Sequence, residues 1–152
     1  MDKYEQLIAQ ETDVRVVEKV FKSRARGLMK GRKIAIRKDI PTSAEKACVL
    51  AEELGHYHTT VGNILDPTKP SNRKQERRAR LWGYNNMIGL YGLVNALENG
   101  CKSKHEVADY LEVTEEYLEN AIKCYREIHG LYAKADNYII YFEPSLKIIK
   151  MI

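Results

Sequence analysis

Val49-Leu50-Ala51-Glu52-Glu53-Leu54-Gly55-His56 is the stretch on which the reading of this chain turns. An α-helix rotates about 100° per residue, so side chains four apart lie almost above one another. Glu52 and His56 therefore share one face, with Glu53 a step around from them. Ala47, Ala51 and Leu54 fall on the opposite side and form an apolar stripe suited to burial. Upstream, Pro41-Thr42-Ser43-Ala44-Glu45 has the form of a helix start, with Thr42 as cap and Glu45 as third helical residue. The pattern predicts a helix that runs to about Tyr57.

Two donors at i and i+4, with an acid after the first, can grip a metal ion and set a base beside its bound water. Glu52 and His56 are then the candidate ligands and Glu53 the candidate base. The usual form of the motif is His-Glu-x-x-His. Glu52 in the first position exchanges nitrogen for oxygen and adds a negative charge, which bears on metal affinity and on the choice of ion. The same spacing also describes a solvated helix face.

A third ligand must come from another element. Glu76 is the candidate, expected to open the next helix, where its other role is to complement the helix dipole. His58 lies about 200° around the helix from His56 and is expected at the helix end, turned to the core side. His105 and His129 fall at helix termini and are expected in capping or surface roles.

Working outward, Asp2 to Arg24 shows broadly helical spacing and predicts one or two short helices. Arg32 to Arg37 alternates as a strand does, with Lys30-Gly31 as a hairpin turn. Thr59 to Ser71, with Gly62, Pro67 and Pro70, predicts a loop. A helix from Asn72 through Tyr84 should bend or break at the glycines 83, 89 and 92. Ser103 with Glu106, and Thr114, cap two further helices, the second reaching His129-Gly130. Asn137 to Phe142 has strand composition.

The chain's 152 residues fit one domain, and 44% hydrophobic with 30% charged residues is the composition of a soluble globular protein. Met1 to Val20 lacks the pattern of a signal peptide, and no run is long and apolar enough to span a membrane. Cys48, Cys101 and Cys124 are an odd, scattered set, so no disulfide framework is expected and the compartment reads as reducing cytosol. Residues 1 to 100 hold 18 basic and 12 acidic side chains, and the rest 7 and 9. The basic run around Arg73, Lys74, Arg77, Arg78 and Arg80 suits either an acidic partner or a solvated face.

Leu93 to Glu98, Ser103 to Leu111 and Thr114 to Arg126, followed by a hairpin, mimic a winged helix-turn-helix. A recognition helix that opens with Glu115, Glu116 and Glu119 would repel phosphates, so DNA binding is not expected of it.

The helix motif, followed after a proline-containing loop by Gln75-Glu76-x-x-Ala79-Arg80-x-Trp82-Gly83-Tyr84, resembles the ImmA/IrrE metallopeptidases of phages and mobile elements. Family members carry a second helix of type Glu-x-x-Ala-Asn-x-Phe-Ala, whose glutamate is the third zinc ligand. Glu76 falls on that glutamate, Ala79 matches, Trp82 takes the aromatic place and Arg80 departs from asparagine. The Ile34-Ala35-Ile36 strand and the segments from Val107 to Thr114 and on to Phe142-Glu143-Pro144 extend the likeness.

The resemblance implies an α+β, mostly helical fold. Residues 1–88 would form a zincin-like core and 89–152 a helix-turn-helix-like subdomain. It implies Zn²⁺ held by Glu52, His56 and Glu76, with Glu53 as base. It also implies a protein substrate, a repressor whose cleavage relieves transcriptional repression. The alternatives are a non-catalytic antirepressor and a winged-helix DNA-binding regulator. Oligomeric state is left open.

Overall fold

The computed structural model describes residues 1–60 and 70–151, which divide into two compact units, Met1–Gly83 and Tyr84–Ile152. In the first, α1 (Lys3–Gln10) precedes strands β1 (Arg15–Lys19), β2 (Gly27–Lys30) and β3 (Lys33–Arg37), then α2 (Ser43–Thr59) and α3 (Pro70–Met87), whose last four residues lie in the second unit. The fold class is the expected one, α+β and mostly helical.

Asp2 starts α1: its Oδ1 accepts from the Glu5 amide at 2.8 Å, and Glu5 Oε1 accepts from the Asp2 amide at 3.1 Å. Asp2 Oδ2 also accepts from Ser43 Oγ at 2.6 Å, which ties the start of α1 to the start of α2. Tyr4 and Leu7 are the buried residues of α1, which packs on α2. Tyr4 donates to Glu18 of β1 at 3.1 Å, and Glu18 takes Lys46 of α2 at 2.9 Å, so one carboxylate joins three elements.

Only part of the first expectation for residues 2–24 holds, because residues 15–19 are a strand and not a helix. The β-branched pair Val16-Val17 disfavours a helix, and β1 satisfies its backbone by parallel pairing with β3, Val16 opposite Ile34. β2 and β3 form the expected hairpin, with Gly31 at φ +61° in the turn. β3 is central, in the order β1-β3-β2, and its Ile34 and Ile36 are fully buried. α2 packs against β2 and β3 with Ala47, Leu50, Ala51 and Leu54 inaccessible to solvent.

The expected loop at Thr59–Ser71 falls, over residues 61–69, outside the described residues. At its ends Thr59 belongs to α2, and α3 begins at Pro70, two residues before the expected start.

The second unit continues with α4 (Gly89–Glu98), α5 (Lys104–Leu111), α6 (Glu115–His129) and strands β4 (Tyr132–Ala135), β5 (Tyr138–Tyr141) and β6 (Lys147–Lys150). The break between α3 and α4 comes at Gly89, φ +67°, where the predicted interruption lies. The Gly89 amide donates to Tyr125 Oη at 3.2 Å, and that hydroxyl donates to Asn85 Oδ1 at 3.0 Å, so a buried tyrosine of α6 supplies what the break leaves unpaired. Ser103 and Thr114 accept from the Glu106 and Tyr117 amides as caps of α5 and α6. Leu93, Val107, Leu118, Tyr125 and Ile140 are the centre of this unit's core. β5 is the middle strand of an antiparallel sheet, β4-β5-β6.

Candidate metal centre

Thr42 accepts from the Glu45 amide at 3.1 Å and starts α2 in the register that the sequence implies. That register buries Ala47, Ala51 and Leu54 and turns Glu52, Glu53 and His56 away from them. Glu52 is exposed, whereas Glu53 and His56 are half-buried.

α3 brings Glu76 to His56. The imidazole Nε2 and the Glu76 Oε1 are 3.6 Å apart, with the two side chains 16% and 30% exposed. That is too long for a hydrogen bond. It is close to the separation of two corners of a zinc tetrahedron: nitrogen and oxygen ligands about 2.0–2.1 Å from the ion lie about 3.3–3.4 Å from each other. Glu76 sits beyond the first turn of α3, so its alternative role at the helix dipole does not apply.

A close helix crossing sets this distance. A Cβ built on Gly55 would lie 2.9 Å from the Ala79 carbonyl carbon and 3.2 Å from its Cα. Only glycine lets the α3 backbone come this near, and Ala79 on the other side is fully buried. Glycine inside a helix costs about 1 kcal/mol relative to alanine. That cost in the middle of the motif is the sequence signal for a backbone approach, and the motif reading passed over it.

His56 Nδ1 is buried and has no hydrogen-bond partner among the described residues. A half-buried imidazole with one unpaired nitrogen and a carboxylate opposite the other calls for a further partner at the ring. The donor set, one imidazole nitrogen and carboxylate oxygens, suits zinc. Among the described residues, however, no three His, Cys, Asp or Glu side chains converge as a metal-binding group. The assembled pair is His56 with Glu76.

Glu53 lies beside this pair. Burial pushes its carboxyl above the usual carboxylate range; His56 opposes that shift, and the negative charges of Glu52 and Glu76 add to it. The backbone of β2 covers it: a Cβ on Gly27 would come within 3.0 Å of Glu53 Cγ and of Val49 Cγ1. A carboxylate with raised proton affinity at the edge of a two-donor site has the character of a general base.

His58 departs from expectation. His58 does not face the core: α2 continues to Thr59 without unwinding, and His58 stays exposed. Its Nε2 lies 2.9 Å from Glu11 Oε1, and its ring stacks on Trp82 of α3 at 4.8 Å between centroids. The acid just beyond α1 draws the ring outward, and the indole holds it. His105, at the surface as expected, lies 3.2 Å from Asp109 and 2.7 Å from Glu115, all exposed.

A small mixed sheet lies against a helix that carries an imidazole and a glutamate, and the adjoining helix presents a second acid to that imidazole. This is the architecture of zincin-like metallopeptidases. Residues 9–123 match the IrrE N-terminal-like domain, a peptidase family, and the chain belongs to that family. No curated protein and no solved structure matches the chain significantly. No helix among the described residues is long and apolar enough to cross a membrane.

Proposed function

We propose that this chain is a zinc-dependent endopeptidase that cuts a transcriptional repressor of a phage or mobile element. The observation that carries the proposal is the approach of His56 and Glu76, 3.6 Å apart on two different helices, with the proton affinity of Glu53 raised beside them. Membership in a peptidase family supports the reaction class.

Zinc would be held by His56 and Glu76, with Glu52 as third ligand. Glu52 stands one turn before His56, and its exposure leaves its rotamers unfixed by packing. The ion would supply Lewis acidity to a scissile carbonyl and a lowered pKa to water. Glu53 takes a proton from the attacking water and returns it to the leaving amine, a task that a carboxylate with raised pKa performs nearer neutrality than an ordinary one. The close approach of the Gly27 backbone limits the room open to the Glu53 side chain.

The test is incubation of the purified protein, Zn²⁺ and the repressor encoded beside it. Wild type gives a defined pair of fragments and Glu53→Gln gives none. Identical fragment patterns from the two proteins rule out Glu53 as base.

The exposed Glu52 and the two-member cluster favour one other reading, an antirepressor that binds its partner without cutting it. Protein purified without chelators separates the two: stoichiometric zinc supports the peptidase, and metal-free protein that still binds intact repressor supports the alternative.

A further inference from the structure

The outward face of the first sheet carries a charge arrangement that the peptidase reading does not use. Strand register places Arg15, Val17 and Lys19 of β1, Lys33, Ala35 and Arg37 of β3, and Leu28 and Lys30 of β2 on the side opposite the buried Ile34 and Ile36. Three cross-strand partnerships on this face join like charges: Arg15 with Lys33, Lys19 with Arg37, and Lys30 with Lys33. Like charges directly opposite each other destabilise a sheet.

Arg37 is neutralised locally by Asp39 at 2.7 Å and by the carbonyls of Ser23 and Ala25. Arg15, Lys19, Lys30 and Lys33 form no ion pair among the described residues. The neighbouring Lys19, then burial and Arg15, hold the Lys33 amine below the usual lysine range. Residues 1–83 as a whole carry 18 basic and 11 acidic side chains, and the exposed Lys22, Arg24 and Arg32 flank the same sheet.

We propose that this sheet face is a docking surface for the phosphate backbone of duplex nucleic acid. Four unpaired cations sit on three strands, with neighbouring strands about 4.8 Å apart and same-face residues about 6.7 Å apart along each strand. That density of charge suits a polyanion with regularly spaced phosphates. The centre of a protein–protein interface is depleted in lysine and enriched in aromatics, and this face has the reverse composition. With no aromatic ring on it to stack on bases, backbone contact with a duplex is favoured over capture of single strands. The acidic start of α6, which argues against DNA reading by the second unit, is a different surface.

The experiment is titration of a mixed-sequence 30-base-pair duplex with full-length protein at several salt concentrations. Wild type is expected to bind at 50 mM salt and to lose about 100-fold in affinity by 200 mM, the dependence of about four released counterions. The variant Arg15→Gln, Lys19→Gln, Lys30→Gln, Lys33→Gln should lose that salt-dependent binding while melting at or above the wild-type temperature, because it relieves repulsion. Catalytic activity is not needed, so failure of this test leaves the peptidase proposal standing, and the converse also holds. The proposal is overturned if wild type does not bind the duplex at 50 mM salt, if the four-fold variant binds as wild type does, or if polyglutamate binds as tightly as the duplex.

Discussion

Gly55→Ala tests whether the helix crossing sets the approach of His56 and Glu76. The new methyl group would stand 2.9 Å from the Ala79 carbonyl carbon, with Cα at 3.2 Å. The Ala79 carbonyl oxygen is nearer still, and carbon atoms alone are in comfortable contact only at about 3.5–4.0 Å, so α2 and α3 must separate by about 1 Å or more. The obstructing atoms are backbone and cannot rotate away. Overpacking against backbone falls at the upper end of the usual range, about 2–3 kcal/mol, against about 1 kcal/mol gained from helix propensity, so a net loss of about 1–2 kcal/mol is expected.

The same displacement stretches the 3.6 Å separation of His56 and Glu76 toward 4.5 Å, beyond the span of two ligands on one zinc ion. A misplacement of about 1 Å in a reacting constellation lowers rate by roughly 100-fold. Urea denaturation and chelator competition for Zn²⁺ read the two effects separately. Gly92→Ala is the control, since its Cβ would meet only Leu111 Cδ2 at 3.4 Å and Ile88 Cγ2 at 3.9 Å; it should be neutral or slightly stabilising. A Gly55→Ala protein with wild-type stability and zinc affinity would refute the reasoning.

Glu53→Gln should retain zinc while peptide cleavage falls at least about 100-fold, measured by metal analysis and fragment appearance on the same preparation. His105 hydrogen-bonds Glu115, with Asp109 nearby, and its pKa is raised by both. Its contribution to stability is complete below the unfolded value of about 6.5 and disappears as pH rises through the folded one. An NMR titration should place its midpoint above that of a free histidine, and Glu115→Gln should lower it. Tyr125→Phe removes the hydroxyl that bridges Gly89 and Asn85 and should cost about 1–2 kcal/mol in chemical denaturation.

Sequence periodicity marked α2, the hairpin of β2 and β3, and the capped helices α5 and α6, because each is decided by local chemistry: a cap, a turn glycine, an apolar stripe. Residues 15–19 escaped it, since the partner that makes them a strand is β3, well down the chain, and the periodicity of a short apolar run does not by itself separate strand from helix. β4 and β6 were foreshadowed only as a hairpin, being short runs with lysines at or near their ends. The i and i+4 geometry of Glu52 and His56 was legible, and Glu76 was singled out by its place on the next helix and then by the likeness to a family. His58 was misplaced because helical angle alone ignores Glu11 and Trp82, which come from other elements. Gly55 and Gly27 were missed for the opposite reason: their contribution is the absence of a side chain, to which motif letters give no weight.

Position 27 illustrates what that absence means for inheritance. The strand backbone there rests directly on the Glu53 side chain, so even a methyl group would intrude on Glu53 and Val49. A saturation screen for inactive alleles should therefore collect hits at codon 27 beside those at codons 53, 56 and 76, although this residue has no side chain to take part in any chemistry.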